Sequence, residues 1–89
     1  MMDSHLCSMV ESVAGRDRGM YAYVIGVSEE GYLLVADGRL RKVETPKRKK
    51  LKHIRLIADA PRLEEDKMTN RVIREIINEY KESHDNKEE

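Results

Sequence analysis

The chain has 89 residues with no Trp, no Phe and one cysteine, so it makes one small domain whose core must come from four Tyr and a set of Ile, Val and Leu. A single cysteine excludes an intramolecular disulfide framework, and no run approaches the roughly 20 apolar residues of a membrane helix, so a soluble cytoplasmic chain is expected. Seventeen Lys and Arg balance seventeen Asp and Glu, yet residues 39–55 hold nine cations and one anion, while residues 1–38 and 56–89 are each net −4.

The opening MMDSHLCSMV lacks the basic and long apolar segments of a secretory signal. Cys7 reads as a small buried apolar residue, and CSMVESV as a short strand. AGRDRG, two glycines around three charges, is a loop. MYAYVIGV is rich in Tyr, Val and Ile, and strict alternation puts Tyr21, Tyr23, Ile25 and Val27 on one face and Met20, Ala22, Val24 and Gly26 on the other. SEEG is a turn, YLLVA the next strand, and Asp37-Gly38 a further turn. A short strand from Leu40 to Val43 is expected to complete a meander before Thr45-Pro46 breaks it. LKHIRLIA is the last strand, with Lys52, Ile54, Leu56 and Ala58 as its core-facing set and Leu51 and Ile57 partly covered.

Five short strands with tight turns predict a small barrel, since closure removes edges that so small a chain protects poorly. Pro61 ends this part. From about Glu64 the pattern becomes helical, with Met68, Val72, Ile73, Ile76, Ile77 and Tyr80 in one stripe and Glu64, Glu65 and Asp66 near the start, where the helix dipole favours anions. The tail SHDNKEE is polar. The expected organisation is therefore a barrel over residues 1–60 and an amphipathic helix with a polar tail over 61–89, packed on the barrel.

Like charges crowded into residues 39–55 repel one another unless an anionic partner relieves them, which favours a polyanion surface over a merely solvated face. An acidic membrane surface fits less well, because the segment lacks an apolar face. Tyr21, Tyr23 and Tyr32 could stack on unpaired bases, but core filling is the better reading, with Tyr32 the best candidate for exposure. His5, His53, His84 and Cys7 lack metal-ligand spacing, and no nucleophile–base or paired-carboxylate constellation stands out. Neither an enzyme nor a cofactor is expected. Arg16 and Arg18 are placed to reach a phosphate, with Asp17 bracing them or offsetting their charge.

AGRDRGMYAYVIGV resembles the KOW motif of ribosomal proteins and transcription elongation factors through Gly15, Arg16, Asp17, Arg18, Gly19 and Val24, with Ala22 where the usual pattern has a third glycine. The continuation LLVADGRLRKVETPKRKKLKHIRL is similar to the "fourteen-e" class of large-subunit ribosomal protein and to small bacterial KOW proteins, through Asp37, Gly38, Leu51, Lys52 and His53. The resemblance covers residues 8–58 and, more loosely, 66–82. It implies a mainly β fold, a Src-homology-3-like barrel with a C-terminal helix, and binding to structured RNA, above all ribosomal RNA, with ribosomal proteins as further partners. By position it implicates Arg16, Arg18, Arg39, Arg41, Lys42, Lys47, Arg48, Lys49 and Lys50, and the basic run extends this set to Lys52. A monomer or weak homodimer is expected. The rival is a protein-interaction module that docks a ribosomal or transcription component and uses the stripe 72, 73, 76, 77, 80 as a dimer seam.

Overall fold

Short apolar runs in four of the strands, and a helical stripe after them, build a mainly β structure with one C-terminal helix. The computed structural model describes residues 7–60 and 62–85. In chain order the elements are β1 (Ser8–Ser12), β2 (Tyr21–Val27), β3 (Leu33–Ala36), β4 (Lys47–Lys49), β5 (Ile54–Asp59) and α1 (Asn70–Asp85). Short 3-10 turns occupy Leu51–His53 and Glu65–Lys67. His5, Pro61 and the end of the polar tail lie outside the described residues. No helix among the described residues is long and apolar enough to cross a membrane.

The strands form one antiparallel sheet in the order β4-β3-β2-β1-β5. It is open: β4 and β5 are its two edges, so the expected closure of the ladder into a barrel is not realised. The sheet is nonetheless strongly curled. Val10, Ala22, Val35, Lys49 and Ile54, one from each strand, line a single cavity of only about 10 Å³. One link draws the curl together: the Lys49 side chain crosses from β4 to Asp17 in the loop after β1, while the Val13 N–H, donating to the His53 carbonyl at 3.0 Å, continues the β1–β5 pairing beyond Ser12.

Side chains alternate to give two apolar clusters. On one face Cys7, Met9 and Tyr23 pack with Ile73 and Ile77 of α1, flanked by Tyr21, Ile25, Ile57, Ile76 and Tyr80. The helical stripe is therefore spent on the sheet, and full burial of a residue such as Ile73 stabilises the fold by about 1.5–3 kcal/mol. On the concave face Val10, Ala22, Val24, Leu33 and Val35 pack with Val27 and Ile54.

Four local expectations need correction. Val27 joins the concave cluster, not the face of Tyr21 and Tyr23, because the register against β3 shifts between Val24 and Gly26; Ile25 is the extra residue that reverses the alternation. Leu40–Val43 is not a strand: the Asp37 Oδ1 accepts the N–H groups of both Arg39 and Arg41 at 2.9 Å, and this local capture replaces a ladder. The fifth strand is instead the basic Lys47–Lys49, paired to β3. Leu56 is 51% exposed although it faces the concave side, because β5 is an edge and no sixth strand covers it. At the other end, α1 starts at Asn70, capped by the Thr69 hydroxyl, which accepts the Val72 N–H at 3.2 Å; the acidic trio Glu64–Asp66 precedes the helix and its first turn holds no acid.

Candidate nucleic-acid interface

The loop after β1 is fixed by its own backbone. Ser12 donates its N–H to the Met20 carbonyl and accepts from Gly19, at 2.9 and 2.7 Å, and Met20 donates to Asp17 at 3.0 Å. Gly15 and Gly19, at φ +86° and +88°, turn the chain in a region where side-chain-bearing residues are strained. Arg16 and Arg18 project exposed from this closed loop.

Asp17 does not brace those arginines. Its Oδ1 accepts hydrogen bonds from Lys49 Nζ at 2.9 Å and from the Ser12 hydroxyl at 3.0 Å. Burial alone would raise the Asp17 carboxyl; the hydrogen bonds from Lys49 and Ser12 and the ammonium charge outweigh it and hold the group below the usual carboxylate range. Lys49, only 7% exposed, also reaches the Ala14 carbonyl at 3.4 Å. The basic run thus splits by strand alternation: Lys47 and Lys49 share the concave side with Val35 and Leu33, and Arg48 faces the other way.

The second loop, residues 37–46, is held from behind by the helix. Gly38 sits at φ +80°, and a Cβ there would lie 2.4 Å from the Asn70 carbonyl oxygen. Arg74 Nη1 donates to the Gly38 carbonyl at 2.9 Å, and Asn70 Oδ1 accepts the Val43 N–H at 2.8 Å. The Asn70 amide also donates to Glu44 at 3.1 Å and is the main reason the Glu44 carboxyl lies below its ordinary value.

These two loops and β4 enclose a cleft of about 750 Å³ that carries Arg16, Arg18, Arg41 and Lys47, with Met20 and Leu40 in its lining. Asp17 and Lys49 line it as well but neutralise each other, so four positive charges remain. Of the ten cations assigned from sequence, these four come together. Arg39 lines a smaller groove beside the cleft, of about 80 Å³, with Arg74 and Lys81 of α1. Lys42, Lys50 and Lys52 are exposed on turns outside the cleft, and the Arg48 guanidinium lies 5.8 Å from the ring centre of the half-buried Tyr32. Lys49 differs from the other nine: it is buried and ion-paired to Asp17. Outside the assigned set, Arg55 of the same basic segment pairs with Glu11 on β1.

The expected core tyrosines are in the core or at its margin. Tyr23 is fully buried, and Tyr21 meets Tyr80 edge-on with ring centres 5.5 Å apart. Sequence reasoning missed Met20 and Leu40 as cleft residues and Asn70, Arg74 and Lys81 as neighbours of the basic loop. The signal available for Asn70 was a helix-cap residue type just before an apolar stripe, which points to capping and not to a distant loop. Among the described residues no group of three or more His, Cys, Asp or Glu could hold a metal ion. Compared with protein-family models and with curated proteins, the chain matches none.

Proposed function

We propose that this chain is a non-catalytic RNA-binding protein that contacts ribosomal RNA in the cytoplasm and acts on the ribosome or its assembly. One observation carries the reading: Arg16 and Arg18 of the loop after β1, with Arg41 and Lys47 of a distant loop and the strand that follows it, line one cleft whose only carboxylate among the described residues, that of Asp17, is already neutralised. A rigid frame holding several uncompensated cations suits a phosphate backbone, which is bound by neutralisation and counterion release. The KOW-like loop, the loop that opens with Asp37-Gly38 and the basic strand β4 supply these side chains, which agrees with the role the resemblance assigns to these segments. In the same reading the scaffold is a relative of the Src-homology-3-like barrel, with edge strand β4 tied to the loop after β1 by the Lys49–Asp17 pair where a ladder would otherwise close. Ile73 and Ile77, central to the supposed dimer seam, are buried on the sheet, which weighs against the rival of a helix-mediated partner.

The test is binding to ribosomal RNA fragments across a salt series, for the native chain and for a variant with Arg16→Gln, Arg18→Gln, Arg41→Gln and Lys47→Gln. Lys49 is left in place, because removing it would strand Asp17. Loss of four phosphate contacts is expected to flatten the slope of log affinity against log salt by about 2.8 for single strands or about 3.6 for duplex. Circular dichroism should show an unchanged fold. Unchanged affinity and slope in the variant would remove the basis of the reading.

A further inference from the structure

We infer that the cleft is built for an unpaired nucleotide, with its base lodged against Leu40 and Met20 and its flanking phosphates on the four cations; this rests on the RNA-binding reading above. Leu40 is 80% exposed, the most exposed large apolar side chain among the described residues. A lone exposed leucine is ordinary. This one is distinguished by how it is held and by its company. The residues on either side of it, Arg39 and Arg41, both donate their N–H groups to Asp37 Oδ1 at 2.9 Å, and the Arg41 carbonyl accepts from Asp37 and Gly38 at 2.9 and 3.1 Å. The turn is thus locked, and Leu40 stands at its tip as a fixed apolar knob. It lines the same cleft as Met20 and as Arg16, Arg18, Arg41 and Lys47.

A ligand that complements this lining must be anionic and must also present an apolar surface close to its charge. Nucleotides combine the two, since every base has an unsubstituted face beside its phosphates. The cleft, at about 750 Å³, lies within the roughly 300–1,000 Å³ typical of sites that enclose a small ligand. Paired RNA does not supply that ligand. In an A-form helix the bases are stacked inside, the major groove is too deep and narrow for side chains, and the exterior offers phosphates and 2′-hydroxyls. Docked on a duplex, the cations would be satisfied and Leu40 would remain in water. An unpaired base can swing out and cover it.

The experiment compares two short RNA hairpins, one fully paired and one with a single unpaired adenosine in the stem, each titrated against the full chain by fluorescence anisotropy at one salt concentration. The bulged RNA should bind about tenfold tighter, the factor that corresponds to covering one apolar side chain. Leu40→Ser should erase that preference and leave affinity for the paired hairpin unchanged; because the side chain is exposed, the fold should not be affected, which a thermal melt checks. With 2-aminopurine in place of the unpaired adenosine, its emission should change on binding to the native chain and not to the variant. Equal affinity for the two hairpins, with Leu40→Ser silent, overturns the inference while leaving the RNA-binding reading in place. Absence of salt-dependent binding to either hairpin and to the ribosomal RNA fragments overturns both.

Discussion

On one face of the sheet, Cys7, Met9 and Tyr23 are sealed by Ile73 and Ile77 of α1; on the other, the apolar cluster runs out toward β4 and a buried ion pair, Lys49–Asp17, finishes the wall. The first face depends on area removed from water, which is non-directional and large. The second buries five apolar side chains too, but its β4 end depends on a hydrogen-bonded pair of charges, which is directional and of modest net worth, because desolvation offsets much of the attraction. The apolar clusters therefore set whether the chain folds, whereas the ion pair sets where the loop of Arg16 and Arg18 sits against β4. Damage to the first should appear as loss of structure, and damage to the second as loss of a binding geometry.

The largest effect expected from breaking this division is at Ile73, which α1 buries fully against the sheet. Ile73→Ala should cost about 2–5 kcal/mol, read as a fall in the urea midpoint at constant m-value. Next comes Gly38→Ala. The residue must hold a positive φ and displace a backbone oxygen 2.4 Å away, and the change should cost about 1–3 kcal/mol while freeing the Val43 amide from Asn70, visible as faster hydrogen exchange at Val43. Asp17→Asn should cost about 1–2 kcal/mol, between the values for exposed and buried pairs, read in the same urea titration.

The Asp17 effect has a defined pH dependence. Its carboxyl is held lower in the folded chain than in the unfolded one, so its contribution is complete above the unfolded value of about 3.9 and is lost as pH falls through the lower folded value. The stability difference between the native chain and Asp17→Asn should thus be constant near neutrality and shrink in acid. A loss at Asp17 as large as that at Ile73 would break the proposed contrast between apolar cluster and ion pair. The smallest effect belongs to Arg71→Ala, which removes an exposed pair with Glu75 on the outer side of α1 and should change stability by less than about 0.5 kcal/mol.

Much of this layout was legible before any coordinates. β1, β2 and β3 announce themselves as short apolar runs bounded by loop and turn residues, and α1 by an apolar stripe at the helical period. β4 was hidden because Lys-Arg-Lys has weak strand preference and no apolar member; its strand character comes from the free edge of β3, a non-local cause. The false strand at Leu40–Val43 shows the reverse, a plausible short alternation overruled by one aspartate side chain that takes the backbone donors. Within the candidate site, the basic character of the loops was readable, but the fate of each cation was not. Lys47 and Lys49 are the same residue type two positions apart on the same strand face, and only Asp17, 32 residues before Lys49, separates one role from the other.

Asn70 and Arg74 grip the basic loop from the first turns of α1, through Val43, Glu44 and Gly38. Docking of the helix and shaping of the loop are consequently one equilibrium, and linkage makes the coupling reciprocal. Whatever tightens around Arg39–Lys42 also resists undocking of the helix on the far side of the sheet. A bound ligand would then slow amide exchange at Ile73, a residue it never touches, and undocking the helix would weaken that ligand by the same factor.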